Sequence, residues 1–339
     1  VTGGFAPNEA GKGHPFGARL DTDEAARKHE PITKAVHDEG GKIALQILHT
    51  GRYGYHPLCV APSAIRAPIN RFRPRALSVR GIKGTIKDFI TCATLARESG
   101  YDGVEIMGSE GYLINQFIAR KTNKRNDDWG GSFENRVRFP LEIIRGVRKA
   151  VGKDFIIIYR LSMLDLVKDG STWEEVVALA KLVEQAGVSI INTGIGWHEA
   201  RVPTIATVVP RASFAWVTKR LMGEVKVPLI ATNRINMPDV AENVLAEGCA
   251  NMVSMARPFL ADPDWVEKTA TGRVDEINSC IGCNQACLDH IFQRKTSTCL
   301  VNPRACFETE KPFLPASTKK KVAVIGAGPA GLSCATTAA

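Results

Sequence analysis

No stretch of the 339-residue sequence approaches the ~18 consecutive apolar residues that cross a bilayer, which excludes a membrane-spanning helix. A secretory signal is missing too, so a disulfide framework is disfavoured and the expected location is cytoplasmic. There is no internal repeat and no low-complexity tract, which removes solenoids and disordered arrays. An initiator Met is also absent. The chain opens on Val1-Thr2-Gly3-Gly4, which reads as the end of a buried strand, and stops at Ala339 within a helical pattern. The expectation is a piece of a longer protein, cut at both ends.

What is present is an ordinary globular composition: 44% hydrophobic, 23% charged, 30 glycines. Lys and Arg number 44 against 35 Asp and Glu. The resulting net charge of +9 fits an anionic ligand such as phosphate or nucleic acid, and equally a merely basic surface. Of nine cysteines, Cys280, Cys283, Cys287, Cys299 and Cys306 crowd toward the C-terminus, which favours metal over disulfides in a chain without a secretory signal.

Short apolar, β-prone runs alternate with helical patterns. The predicted strands are Ile43–Leu48, Gly103–Met107, Phe155–Leu161, Ser189–Thr193, Pro228–Thr232 and Asn251–Met255, with Val1–Phe5 as the tail of an earlier one. Between them apolar residues recur at helical spacing, as at Val137, Leu141, Ile144, Val147 and Val151. Ser171-Thr172-Trp173-Glu174-Glu175 offers a capping box, and Asn236-Met237-Pro238 another helix start with Gly248 at its end. Strands buried on both faces and separated by helices imply a parallel sheet. Their regular spacing favours a (β/α)8 TIM barrel lacking its first strand over a doubly wound sheet. The barrel should occupy residues 1–272, a cysteine segment 273–310 and a linker 311–320. At 321–339 a strand running into Gly326-x-Gly328-x-x-Gly331 should begin a Rossmann-like, dinucleotide-binding domain. The segment from His49 to Lys83 is too long for a plain connection and should cover the barrel mouth.

The cysteine spacing Cys280-x2-Cys283-x3-Cys287-x11-Cys299 suits the four thiolates of a cubane. Structural zinc competes, but it usually takes two paired knuckles, and the second pair is missing here. Cys306 reads as a bystander. In TIM barrels chemistry gathers where strands end. Gln46 and His49, Tyr112, Arg160, His198, Asn233-Arg234 and Ala256-Arg257 all lie at such ends, the last two pairs where barrels grip phosphate. Any one of them has a plainer reading: Arg160 as an ion-pair partner, a Tyr or His as packing. The basic run Arg120-Lys121-Thr122-Asn123-Lys124-Arg125 reads equally as a phosphate contact or a solvated loop.

Gly111-Tyr112-Leu113-Ile114-Asn115-Gln116-Phe117, Thr122-Asn123-Lys124-Arg125 and Gly130-Gly131-Ser132-Phe133-Glu134-Asn135-Arg136 resemble the old yellow enzyme family of FMN barrels. Ser254-Met255-Ala256-Arg257-Pro258 and Cys280-Ile281-Gly282-Cys283-Asn284 are similar to its branch with a 4Fe-4S cluster and an appended flavin domain. Sister enzymes carry His where this chain has Glu110. That difference, and the run Asn192–Arg201, is similar to the group within the branch that reduces 2,4-dienoyl-CoA.

The resemblance implies NADPH-dependent reduction of a 2,4-dienoyl-CoA to an enoyl-CoA in unsaturated fatty acid β-oxidation, with a small enoate or enone as the alternative substrate. It implies electrons passing from FAD through the cluster to FMN. Tyr112 would be the proton donor and His198 its assistant. Gln46, Arg160, Arg234, Ala256 and Arg257 match family FMN positions, with Gly4 and Asn233 beside them. Thr122, Asn123, Lys124, Arg125, Glu199 and Arg201 lie where the family receives acyl-CoA, and Cys280, Cys283, Cys287 and Cys299 match the cluster ligands. Gly326, Gly328 and Gly331 would begin an FAD site that the chain truncates, and the NADPH site would be absent. A monomer is expected for the full-length enzyme, with no nucleic-acid or membrane partner. A tRNA-modifying FMN barrel would explain the charge, but the cysteine pattern differs and no RNA-binding tail is present. A zinc-stabilised nucleic-acid module conflicts with the barrel pattern.

Overall fold

A computed structural model describes all residues, Val1–Ala339. The chain divides into two compact units, Val1–Asn284 and Gln285–Ala339. In the first, nine strands form in chain order: β1 (Gly4–Phe5), β2 (Ala44–Ile47), β3 (Val60–Ala61), β4 (Arg75–Ala76), β5 (Gly103–Gly108), β6 (Ile156–Leu164), β7 (Ile190–Ile195), β8 (Leu229–Ala231) and β9 (Met252–Val253). Seven of them make one parallel sheet in the order β1-β2-β5-β6-β7-β8-β9, so β1 and β9 are its edges. This is the parallel α/β architecture of a TIM barrel, with each expected strand in its expected place. The small β3–β4 sheet was not foreseen. It gives internal structure to the long segment after His49, and the next helix already begins at Val79.

Helices between the strands begin where side chains can satisfy the first backbone amides. Ser78, Ser132 and Thr172 each accept from the amide three residues on, and Thr172 with Glu175 closes the expected capping box. The apolar stripe of the Phe133–Val151 helix is buried, with Val137, Ile143, Ile144 and Val147 at most 1% exposed. Strand β5 is buried along its whole length, and Val104 and Ile106 are fully inaccessible. Burying each such side chain stabilises the fold by about 1.5–3 kcal/mol. The core therefore lies between sheet and helices, and the strand ends are left to carry polar groups.

The second unit differs from expectation. Residues 321–325, read as a strand, are hydrogen-bonded into no sheet, while the helix Pro329–Ala338 forms as expected. A strand exists only when its amides and carbonyls pair with a neighbour, and this segment has none. Ile325 is accordingly almost fully exposed. No helix anywhere is long and apolar enough to cross a membrane.

Candidate active site

Strand β5 delivers its chain to a tight turn, Ser109–Gly111, that presents Tyr112. Glu110 and Gly111 both take left-handed conformations, at φ 54° and 81°. At Gly111 a side chain is excluded twice, because a Cβ would lie 2.7 Å from the Tyr53 hydroxyl and 2.8 Å from the Trp197 ring. Glu110 tolerates its strained backbone because Arg160 donates to its carboxylate at 2.9 Å and the Ser109 hydroxyl also donates to it.

From the loop after β7, His198 places Nε2 2.7 Å from the Tyr112 hydroxyl, the rings meeting edge to face. Residues on both sides of His198 fix that loop. The Trp197 indole N–H donates to Asp165 at 2.7 Å. Glu199 accepts from Arg52 and from the Tyr53 hydroxyl, with the Arg52 and Glu199 side chains only 2% and 3% exposed. The Tyr53 ring stands edge-on to both Tyr112 and His198. Burial pushes the Tyr112 phenol above its ordinary pKa, and the Glu110 charge adds to this while Arg160 opposes it. Crowding by protein lowers the His198 imidazole, against a smaller pull from Glu110, although its outer edge remains exposed at the mouth. Near neutral pH the proton therefore stays on the phenol, and the imidazole is uncharged.

Arg160, which pairs with Glu110, also lines a cavity of about 510 Å³ at the strand ends, within the range of small-molecule sites. Gln46, Glu105, Arg160, Asn192, Asn233, Arg234, Ala256 and Arg257 all line it. Arg234 donates to the Val209 carbonyl, and Arg257 to the Ile205 carbonyl and the Asn284 amide oxygen, so both guanidinium groups meet only neutral acceptors. Burial and then the neighbouring Arg257 charge lower the Arg234 pKa. Two neighbouring guanidinium groups without a carboxylate partner suit an anion such as phosphate. The amide oxygens of Asn192 and Asn236 are buried with no donor in the fold, which calls for ligand donors.

The profile of the NADH:flavin oxidoreductase / NADH oxidase family matches residues 1–276. The chain belongs to that family. A metal reductase of Desulforamulus reducens is 40% identical, covering all of this chain and 51% of the relative. A cinnamate reductase of Clostridium sporogenes is 31% identical over 91% of this chain and 50% of its own length. The chain thus spans about half the length of these relatives. A solved complex of 2-naphthoyl-CoA reductase with 2-naphthoyl-CoA superimposes at a TM-score of 0.95 and 35% identity, covering 98% of this chain and 54% of that one.

For a member of this family the cavity fits FMN: cations for the phosphate, unpaired acceptors and a guanidinium for a polar ring. Gln46, Arg160, Arg234 and Arg257 would hold it. Arg160 also has its plainer reading, since it forms an ion pair with Glu110. Gly4 neighbours Gln46 across the β1–β2 pair and does not itself line the cavity.

The expected substrate residues separate into two groups. Thr122 and Asn123 are buried, their side chains used on the carbonyls of Gln116, Phe117 and Trp129. Arg125 pairs with Asp127 and donates to the carbonyls of Pro62 and Leu77. Glu199 is held by Arg52 and Tyr53. Only Lys124 and Arg201 reach solvent. Within the basic run Thr122, Asn123 and Arg125 became scaffolding because nearby carbonyls needed donors, while Arg120 and Lys124 stay exposed.

Cys280 is buried on the cavity wall, Cys283 belongs to the first unit, and Cys287 and Cys299 to the second. No group of three or more His, Cys, Asp or Glu side chains is arranged as a metal site in this structure. Thiolates repel one another, and such sites usually close on binding their metal. Gly328 caps the Pro329–Ala338 helix, with Gly331 in its first turn and Gly326 at φ 108° in the loop before it.

Sequence reasoning missed Glu105, Asn192, Arg52 and Tyr53. Glu105 carried a signal, as a carboxylate at the centre of an otherwise apolar strand; the other three carried none of comparable strength.

Proposed function

We propose that this barrel binds FMN and reduces a conjugated carbon–carbon double bond of a 2,4-dienoyl-CoA, giving an enoyl-CoA. Bound FMN supplies hydride chemistry. The observation that carries the reading is the Tyr112–His198 hydrogen bond, joined through Glu110 and Arg160 to a cavity that gathers arginines without carboxylate partners. Tyr112 is the acid that protonates the chain as negative charge develops on it. Burial makes the phenol a reluctant donor, which suits a strongly basic dienolate and holds the proton against weaker acceptors such as water. A neutral His198 with hydrogen on Nε2 donates to the Tyr112 oxygen and stabilises the phenolate as the proton leaves. Exposed Lys124 and Arg201 are the cations left to meet the phosphates of the carrier. The CoA ester bound by the naphthoyl-CoA reductase neighbour supports a thioester, and the cinnamate reductase relative supports the alternative, a small enoate or enone.

The wider reading includes FAD and NADPH for the longer protein, and a 4Fe-4S cluster on Cys280, Cys283, Cys287 and Cys299. It rests on the glycine fingerprint and the cysteine spacing. Anaerobic reconstitution with iron and sulfide analysis tests the ligands: Cys299→Ser should lose the cluster and Cys306→Ser should keep it. For the barrel, Tyr112→Phe should slow substrate reduction by roughly 10²-fold or more while FMN affinity stays the same. Undiminished turnover of a dienoyl-CoA would remove Tyr112 from the role.

A further inference from the structure

We infer that Glu105 is an amide clamp that makes the cavity floor selective for a ligand edge carrying an N–H donor, here the imide of the flavin pyrimidine ring. The inference rests on the FMN reading above and adds the residue that sets the chemistry of the floor.

Glu105 sits in the middle of β5 and is 1% exposed. Its two carboxylate oxygens are taken by two amides, one from each side. The Gln46 side-chain N–H donates to Oε1 at 2.7 Å, and the Asn192 side-chain N–H donates to Oε2 at 2.6 Å. The sheet register produces this, because Gln46 is the direct partner of Glu105 on the adjacent strand. Asn192 reaches in from β7, where it is the register partner of Arg160.

A carboxylate only accepts hydrogen bonds. Both amides must therefore turn their NH₂ groups toward Glu105, and an amide so turned has no freedom to flip. The oxygens then point away from the carboxylate. The Asn192 oxygen is buried without a donor, and the Gln46 oxygen accepts no hydrogen bond within the fold although the residue lines the cavity. Gly4 leaves room for this arrangement. A Cβ at that position would stand 3.0 Å from the Gln46 oxygen and 2.7 Å from the Leu48 Cβ, pushing the amide aside. Arg160 lines the same floor and uses Nε and Nη2 on Glu110, so Nη1 remains for a ligand carbonyl. Acceptors beside a cationic donor complement an imide, in which N–H is flanked by carbonyls. An imide offers its one N–H to one of these oxygens, whereas a ring edge presenting only acceptors would leave both without a donor.

The test measures the Kd of FMN and of N3-methyl-FMN on the full chain by flavin fluorescence, for the wild type and for Glu105→Gln. In the wild type, N3-methyl-FMN should bind about 10²-fold more weakly or worse, the scale on which sites built for an N–H reject analogues lacking it. A glutamine at position 105 both donates and accepts, so the flanking amides can reorient, and the discrimination should narrow to about tenfold or less. Rejection of the methyl group by bulk alone would be equally strong in both proteins, and that result overturns the clamp. Equal affinity of the wild type for the two flavins overturns it as well. If Glu105→Gln does not fold, Asn192→Ala removes one acceptor and keeps the carboxylate, and unchanged discrimination in that variant counts against the clamp. A wild type that binds neither flavin overturns the FMN reading itself, and the inference with it.

Discussion

Around Tyr112 and His198 two buried carboxylates face guanidinium groups, Glu199 with Arg52 and Glu110 with Arg160, and a third, Asp165, is held by four neutral donors. Further along the same strand ends, Arg234 and Arg257 face only carbonyl and amide oxygens. The first region is electrostatically complete as the protein folds. The second is complete only when an anion enters. Paired charges fix geometry, whereas unpaired ones store affinity for a ligand.

The largest way to break this contrast is to unpair the mouth. Glu199→Ala leaves the buried Arg52 guanidinium without a counter-ion and should cost about 3–5 kcal/mol in denaturant unfolding, the scale for a broken buried pair. It should also loosen the His198 loop. A loss below about 1 kcal/mol would mean that Glu199 anchors nothing.

A further charged group, at the opposite ends of the strands, extends the paired class. Burial disfavours the Asp102 carboxylate, but the Ile43 amide, His37 and Lys42 outweigh this and hold its pKa at about 2, below the ordinary 3.8. A depressed carboxylate pKa gives stability that is present above pH ~4 and lost as pH falls toward 2. Asp102→Asn should therefore destabilise the protein by about 2 kcal/mol at pH 7 and by progressively less through that window. An equal loss at pH 7 and pH 2 would point to packing rather than charge.

The smallest stability effect should come from unpairing nothing. Arg257→Ala removes a cation that has no counter-ion and relieves the repulsion on Arg234. Stability should stay within about 0.5 kcal/mol of the wild type or rise, while FMN affinity falls about tenfold and riboflavin affinity hardly moves. Equal losses for FMN and riboflavin would show that Arg257 does not serve the phosphate.

Much of the fold was legible because buried parallel strands are written as continuous apolar runs and helix starts carry their own caps, as at Thr172–Glu175. Tyr112 and His198 were each legible as residues that follow barrel strands, where barrels expose polar groups, and their pairing came from the family resemblance. The strand expected at 321–325 was not borne out, because local β-propensity cannot supply a neighbour. Thr122, Asn123 and Arg125 misled for the complementary reason: a polar run looks solvated in sequence even when buried carbonyls are waiting for its donors.

The sequence by itself determined the strands of the large parallel sheet and the main helices between them, that cations stand near β8 and β9, and that four thiols share a cluster-like spacing. These are local properties of composition and period. Only the tertiary structure decided which charges are paired. Register set Gln46 against Glu105, the β7 loop brought Glu199 to Arg52, and no carboxylate arrived beside Arg234 or Arg257. Pairing depends on distances of a few ångströms between residues as far apart as 52 and 199, and no local pattern encodes those.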